Sequence, residues 1–167
     1  EDWYEPVENY NSQTRFDAER RLMRRLPIAF CPVVALPEPG SYVARSSAGV
    51  PIVVVRDLSG TIRAFRNACR HRGMQLAEGS GCTKIFRCNY HGWAYRLDGR
   101  LEYVPHQHGL PDLDKESNGL VPVHAVTIQN GLVFVTQDEP VGLGALESLP
   151  ELLTEDQVLF DSNESVD

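Results

Sequence analysis

The 167-residue sequence has no apolar run long enough to cross a bilayer. Its most apolar stretch, residues 51–55, is far shorter than the ~20 residues that a transmembrane helix needs. The N-terminal residues Glu-Asp-Trp-Tyr-Glu-Pro are unlike a signal peptide, so we expect neither secretion nor a membrane partner. Internal repeats and low-complexity segments are also missing. With 42% hydrophobic and 23% charged residues, the composition is that of a globular protein, which excludes disorder, collagen and coiled coil for the whole chain.

A positive net charge is missing as well. The formal net charge is −7, which argues against a nucleic-acid partner. The imbalance comes from residues 138–167, where nine acidic residues and no Lys or Arg occur; the rest of the chain carries 14 acidic and 16 basic residues, a net of +2. Basic residues cluster near the other end, at Arg15, Arg20, Arg21, Arg24 and Arg25. Both runs are typical of solvated faces of terminal elements, and contact with another domain or subunit is the alternative.

The length corresponds to one domain with some surplus, at roughly 150 residues per domain. Thr14 to Leu26 reads as a helix, with Thr14 and Asp17 as a capping box and Pro27 as its stop. Short strands and hairpin turns follow, which predicts a mainly β fold, an antiparallel sandwich or small barrel. Residues 143–153 read as a second helix. The predicted strands are 41–45, 50–56, 61–66, 84–87, 93–96, 101–104, 121–129 and 132–137.

Two of the four cysteines lie in matched settings, each close to a histidine. The segments are Cys69-Arg70-His71-Arg72-Gly73 and Cys88-Asn89-Tyr90-His91-Gly92-Trp93. Two Cys and two His bind either zinc or a [2Fe–2S] cluster. A zinc site usually pairs Cys with Cys and His with His at short spacing, whereas each segment here mixes one of each. That mixture favours a Rieske centre, in which two thiolates hold one iron and two imidazoles hold the other.

A glycine follows each histidine within two residues, at Gly73 and Gly92. Because glycine has no Cβ, we expect these positions to let the backbone approach the cluster closely. Backbone N–H groups at these turns are expected to hydrogen-bond to the sulfurs and tune the reduction potential.

The two segments resemble the Cys-x-His-Arg-Gly and Cys-x-Tyr-His-Gly-Trp boxes of the α subunits of ring-hydroxylating Rieske non-haem iron oxygenases. The resemblance extends over about residues 14–155. It implies that Cys69 and Cys88 bind one iron while His71 and His91 bind the other. It also implies an N-terminal arm and basic helix at 1–29 and a Rieske [2Fe–2S] domain with a cluster-binding subdomain at 30–140. Residues 141–167 would be an acidic C-terminal helix or linker leading to a catalytic domain outside this chain.

The sequence departs from the respiratory type of Rieske protein, which has an extra cysteine in each box. Met74 and Tyr90 stand in those places, so the corresponding disulfide cannot form and an oxidising compartment is not needed. We expect a cytoplasmic protein in which Cys31 and Cys82 stay reduced. The serine and tyrosine that raise the potential in the respiratory type are not evident, because Trp93 follows Gly92. A low-potential centre is therefore expected.

Residues around the ligands are candidates for supporting the cluster or docking a partner. Arg70 and Arg72 flank His71, where they would stabilise the reduced state or contact a carboxylate of a partner protein. The remaining candidates of this kind are Gly73, Tyr90, Gly92 and Trp93.

An oxygenase also needs a mononuclear iron held by two histidines and one carboxylate. Only five histidines are present, and His106, His108 and His124 lack the spacing that the family uses for that iron. We therefore expect the parent protein to be an oxidoreductase, and this chain to transfer electrons from a ferredoxin or reductase to a catalytic domain of the same or a neighbouring α subunit. A free-standing Rieske ferredoxin and a zinc-stabilised binding module are the alternatives.

Overall fold

The computed structural model describes residues 6–141, and within them the strands form three antiparallel sheets. The first sheet has the order β1-β10-β9, the second β4-β3-β2-β5 and the third β6-β7-β8. In this part of the chain no helix is long and apolar enough to cross a membrane. The strands are β1 Ile28–Pro32, β2 Ser41–Ser47, β3 Val50–Arg56, β4 Ile62–Arg66, β5 Gly79–Cys82, β6 Phe86–Arg87, β7 Ala94–Tyr95, β8 Leu101–Tyr103, β9 Ala125–Gln129 and β10 Leu132–Thr136.

Two α-helices precede the sheets: α1 Glu8–Asn11 and α2 Gln13–Met23. The predicted helix is confirmed, but its predicted capping box is wrong. Ser12 is the N-cap, since its hydroxyl accepts a hydrogen bond from the Arg15 backbone N–H at 3.3 Å. Asp17 accepts instead from the Gln13 side chain at 3.1 Å. The helix therefore begins one residue earlier than the predicted Thr14 and ends three residues before the predicted Leu26.

Strand β3 buries side chains on both faces, which explains its continuous apolar sequence. Ile52 and Val54 belong to one hydrophobic cluster, and Val53 and Val55 belong to the other. All four are fully buried. Since side chains alternate along a strand, the second sheet lies between two cores, one shared with β1 and β10 and one with β6 to β8. Burial of each such side chain stabilises the fold by roughly 1.5–3 kcal/mol.

The hairpins that the sequence predicts at Asp98-Gly99 and Asn130-Gly131 are confirmed. Gly99, Asn130 and Gly131 all have positive φ, as such tight turns require. The antiparallel, mainly β fold is also confirmed, whereas the small-barrel alternative is wrong: the sheets in residues 6–141 are open and do not close on themselves. The helix expected at 143–153 lies outside the described residues.

Strands β1 and β5 were not expected from the sequence. The Gly-Ser-Gly of β5 has no apolar alternation, and the strand exists because residues 79–82 pair with residues 41–44 of β2. The cysteine at its end, Cys82, is exposed, whereas Cys31 of β1 is buried; both are free thiols, as expected. Burial raises the pKa of the Cys31 thiol, which keeps it protonated.

Candidate metal centre

The two Cys/His segments form loops with the same backbone hydrogen bonds. We call residues 69–74 the first loop and residues 88–93 the second loop. The Cys69 N–H donates to the Met74 carbonyl and the Gly73 N–H to the Cys69 carbonyl, both at 2.8 Å. In the second loop the Cys88 N–H donates to the Trp93 carbonyl at 2.8 Å and the Gly92 N–H to the Cys88 carbonyl at 2.9 Å. Each cysteine is thus fixed at the start of the same kind of turn.

The glycine of each loop is required by its backbone conformation. Gly73 has a φ of +74° and Gly92 a φ of +73°, a region that side-chain-bearing residues adopt only with strain. A Cβ on Gly92 would also lie 3.0 Å from Cγ of Pro105, whereas one on Gly73 would meet no protein atom within 4 Å. Close packing against the protein therefore adds to the need for glycine only in the second loop.

The two thiols lie inside the protein and the two imidazoles lie at its surface. Cys69 and Cys88 are only 3% and 2% exposed. His71 is exposed and His91 is half-buried, and their ring centroids are 4.6 Å apart with the planes inclined by 64°. The two thiols are therefore buried, and the two imidazoles lie beside each other nearer the surface; we call them the inner pair and the outer pair.

Both candidate histidines are stacked against aromatic rings of the second loop. Trp93, which is buried, lies parallel to the His71 ring at 4.9 Å. Tyr90, about half exposed, stacks on His91 at 3.7 Å. These contacts restrict the rotation of both imidazoles, so the predicted supporting role of Tyr90 and Trp93 has a physical basis.

Tyr95 is a residue that the sequence analysis did not identify, and its side chain reaches a candidate ligand sulfur. Its hydroxyl oxygen lies 3.2 Å from Sγ of Cys69 and accepts a hydrogen bond from the Arg70 backbone N–H at 2.9 Å. Either atom can donate when Cys69 is a thiol, whereas towards a thiolate, the form that ligates a metal, the Tyr95 hydroxyl is the donor. Trp93 does follow Gly92, but β7 continues and turns the fully buried Tyr95 beneath the first loop.

Burial, together with the hydrogen bond to Cys69, raises the pKa of the Tyr95 phenol, so the hydroxyl remains a donor at neutral pH.

Asn67 is a second residue that the sequence analysis missed. It is buried, its Oδ1 accepts from the N–H groups of Leu76 and Ala77, and its Nδ2 donates to the Ala77 carbonyl at 2.7 Å. These three bonds close the chain just before and just after the first loop. The sequence signal for both residues is weak: a buried polar side chain needs partners, but a lone tyrosine or asparagine does not reveal which.

The charge around the outer pair is positive. Arg70 and Arg72 are both exposed beside His71. Partial desolvation and the neighbouring His91 and Arg72 lower the pKa of His71 below its ordinary value. A neutral imidazole is the form that ligates a metal, so these surroundings favour ligand behaviour over a free cationic histidine.

The donor set fits a binuclear cluster better than a single ion. A structural zinc site needs four ligands converging on one position. Among residues 6–141, no three His, Cys, Asp or Glu side chains are grouped so as to hold one metal ion. A [2Fe–2S] cluster of the Rieske type asks for only two protein ligands on each iron, two thiolates on one and two imidazoles on the other, which are the residue types that the two loops supply.

Comparison with known proteins agrees with this geometry. A family model described as the Rieske [2Fe-2S] domain matches residues 27–114, just over half of the chain. The chain belongs to this Rieske family. Both loops of the Rieske domain lie within the matched residues, and the cofactor that the family carries is the [2Fe–2S] cluster.

Proteins similar to this Rieske chain include oxygenase subunits. The carnitine monooxygenase oxygenase subunit of Escherichia coli K12 is 34% identical over 164 residues, which cover 91% of this chain and 44% of that subunit. The large oxygenase component of the naphthalene 1,2-dioxygenase system of Pseudomonas aeruginosa is 39% identical over 107 residues, covering 62% and 24%. The crystal structure of the apo form of a quaternary ammonium Rieske monooxygenase superposes with a TM-score of 0.81 at 30% identity, covering 92% and 45%. The chain thus spans less than half the length of these relatives.

Proposed function

We propose that this chain is the electron-transfer part of a Rieske oxygenase, with Cys69 and Cys88 holding one iron and His71 and His91 holding the other. The observation that carries the proposal is the pair of loops with identical backbone hydrogen bonds, each supplying one buried thiol and one imidazole at the surface. When bound, the cluster takes up and releases one electron at a time.

The surrounding residues make the inner side of the site apolar and its outer side positively charged. The thiols face the core formed with Phe86, Trp93 and Tyr95, which excludes water from the inner side. The imidazole edges face solvent, where a partner protein can approach them. Exposed Arg70 and Arg72 make this the positively charged side of the site, and they would contact a carboxylate of that partner and stabilise the reduced state.

The partners in this proposal follow from the relatives. They are oxygenase components, and a structure of the quaternary ammonium monooxygenase is described in terms of inter-subunit electron transfer. We infer that a ferredoxin or reductase supplies electrons to this chain. They then pass to a mononuclear iron in a catalytic domain of the same or a neighbouring α subunit. There O₂ hydroxylates an aromatic or similar organic substrate.

The same proposal assigns the regions of the chain. Residues 1–29 form the arm and basic helix, residues 30–140 the Rieske domain, and residues 141–167 the acidic connection to a catalytic domain. The cytoplasm is the proposed location, because free Cys31 and Cys82 and the absence of a second cysteine in each loop suit a reducing compartment.

Metal analysis and electron paramagnetic resonance of the anaerobically purified chain test the assignment. We expect about two irons and two sulfides per chain, a coloured protein and a Rieske-type signal after reduction. A colourless protein containing zinc would contradict the proposal and support the binding-module alternative.

A turnover assay separates the electron carrier from a complete oxygenase. Ferrous iron, O₂, a reductant and aromatic substrates are added to the purified chain, and we expect no hydroxylated product. Hydroxylated product would show that the chain itself holds the second iron. Sequencing the native gene past the codon for Asp167 tests the remaining alternative, since a free-standing ferredoxin would have no two-histidine, one-carboxylate site downstream.

A further inference from the structure

We propose that residues 142–167 of this chain dock on the arginine-rich face of helix α2. This face is defined by Ala18, Arg21 and Leu22, which lie at positions i, i+3 and i+4 of the helix, together with Arg25, which lies two residues past the helix end and lines the same cleft. The proposal concerns an interaction surface outside the cluster site and goes beyond electron transfer.

Helix α2 contacts the rest of the described chain mainly through one side. The Arg20 guanidinium lies over Phe16 and its Nε donates to the Ala48 carbonyl in the turn between β2 and β3. A Cβ on Gly49 of that turn would overlap the Arg20 guanidinium, so glycine leaves room for this contact. No side chain of α2 is buried within the described residues, and Leu22 is 49% exposed. The opposite stripe, with Arg21 and Leu22, is therefore open.

The open stripe borders a cleft of about 390 Å³ that is rich in arginine. Three arginines line it, and Asp138 is the one carboxylate among its described lining residues. Asp138 is already shared, since Arg66 contacts its Oδ1 at 2.8 Å and Arg24 lies 3.5 Å from its Oδ2. Arg21 forms no side-chain hydrogen bond or ion pair within the described part of the chain. The cleft consequently has unused capacity for carboxylates.

The path of the chain brings the proposed occupant to this cleft. The N–H groups of Gln137 and Asp138 both donate to the Arg24 carbonyl, at 2.9 and 3.0 Å. Nε of Arg25 donates to the Glu139 carbonyl at 2.9 Å. The following residues therefore start next to the C-terminal end of α2. Because an extended chain spans at most ~3.5 Å per residue, the six residues that follow Val141, up to Glu147, reach ~20 Å, longer than the ~10 Å from Ala18 to Arg25.

Residues 142–167 carry the negative charge that would complement the arginines of the cleft. The segment has seven acidic residues and no Lys, Arg or His. Leucines are interspersed among the acids and would cover Leu22 and Ala18 while carboxylates reach the arginines. The acidic residues are Glu147, Glu151, Glu155, Asp156, Asp161, Glu164 and Asp167. A tethered segment also has an effective concentration of order mM, an advantage that a separate acidic partner does not have.

Hydrogen–deuterium exchange of the full chain, read by mass spectrometry, tests this docking. At low salt we expect exchange in peptides from 143–160 to be slowed roughly tenfold, as two or three exposed ion pairs would give. The protection should disappear at about 1 M salt, where the Debye length is about 3 Å. It should also disappear when Arg21→Glu and Arg25→Glu are combined, and return when Glu147→Arg, Glu151→Arg and Glu155→Arg are added.

A matched control makes the same charge change elsewhere: Arg96→Glu with Arg100→Glu, two exposed arginines of the β7–β8 hairpin, should leave the protection intact. Unchanged exchange in β3 peptides shows that each variant is folded. The proposal is overturned if 143–160 exchanges freely at low salt, or if its protection survives reversal of Arg21 and Arg25. Protection that depends on protein concentration, with a dimer in light scattering, overturns it in favour of a second copy of the chain.

Discussion

The first and second loops share their backbone hydrogen bonds but not their surroundings. In the first loop every residue after Cys69 is exposed, and the cysteine is supported from outside the loop by Tyr95. In the second loop Trp93 is buried and Gly92 packs against Pro105. The difference teaches that the backbone sets the position of the Cys and His residues, whereas the other side chains decide which loop stays exposed and which one packs into the domain.

Removing either cysteine tests the part that the loops share and has the largest expected effect. In the proposed ligand set Cys69 and Cys88 hold the same iron, so we expect Cys69→Ala and Cys88→Ala each to lose the cluster and its Rieske-type signal. Iron content, visible absorption and electron paramagnetic resonance measure the loss. Because cofactor binding contributes to folding, both variants should also unfold at lower denaturant concentration.

Cys82→Ala is the matched control, since Cys82 is exposed and lies on β5 outside both loops. It should retain the full iron content. An intact signal in Cys69→Ala or Cys88→Ala would show that the loops do not supply equivalent ligands.

Alanine at the two glycines breaks the symmetry of the loops. Gly73→Ala pays for a left-handed backbone and should lower the free energy of unfolding by roughly 1–2 kcal/mol. Gly92→Ala has the same backbone cost, and its clash with Pro105 should lower the free energy of unfolding by about 1–3 kcal/mol more than Gly73→Ala does. Denaturant unfolding of the purified proteins measures both values.

The clash is isolated by a double-mutant cycle with Pro105→Ala. Removing Cγ of Pro105 should restore most of the extra loss in Gly92→Ala and have little effect in Gly73→Ala. Equal losses at the two glycines, or an equal response of both to Pro105→Ala, would mean that packing does not distinguish the loops.

Features that depend on residues adjacent along the chain could be predicted from the sequence. The Asn130-Gly131 turn requires positive φ at both positions, and the apolar run of β3 fits only a strand buried on both faces. The Cys/His spacing likewise identified the two loops. Strand β5 could not be predicted, because Gly79–Cys82 becomes a strand only by pairing with β2 some forty residues away.

The contact between Tyr95 and Cys69 was missed for a similar reason. It joins residues 26 positions apart and depends on how β7 packs beneath the first loop. The local sequence pattern also did not decide between a sandwich and a barrel, since sheet closure depends on which strands lie at the edges. The N-cap of α2 was misplaced because Ser12 and Thr14 are both good cap residues, and only the backbone decides between them.

Tyr95→Phe tests the difference between the two loops at their sulfur atoms, because the Tyr95 hydroxyl hydrogen-bonds to residues of the first loop. A hydrogen bond to the Cys69 sulfur stabilises the reduced cluster more than the oxidised one, so its loss should lower the reduction potential. A difference of about 1.4 kcal/mol corresponds to ~59 mV for one electron, and we expect a decrease of several tens of mV. Protein-film voltammetry measures it.

Tyr103→Phe is the control, since Tyr103 is exposed and its ring, which the Arg87 guanidinium faces, is retained. Its potential should equal that of the unchanged protein. A potential in Tyr95→Phe that equals or exceeds the starting value would show that the Tyr95 hydroxyl does not donate to the sulfur.

Two arginines, Arg72 within the first loop and Arg87 just before the second, give the smallest effect and the clearest separation of roles. Arg87 lies over the Tyr103 ring at 5.7 Å and donates to the Gly92 carbonyl at 3.4 Å, so Arg87→Ala should cost about 0.5–1 kcal/mol of stability. Arg72 makes no such contact within residues 6–141, and Arg72→Ala should leave stability unchanged. Arg72→Ala should instead slow electron uptake from the reductase or ferredoxin, most clearly at low salt, because a rim charge acts mainly on the association rate.

Stopped-flow reduction measures the rate of electron uptake, and denaturant unfolding measures the stability, of both variants. If Arg87→Ala slows electron uptake as much as Arg72→Ala does, the partner covers both loops. The distinction between a first loop that docks the partner and a second loop that packs into the domain would then be wrong.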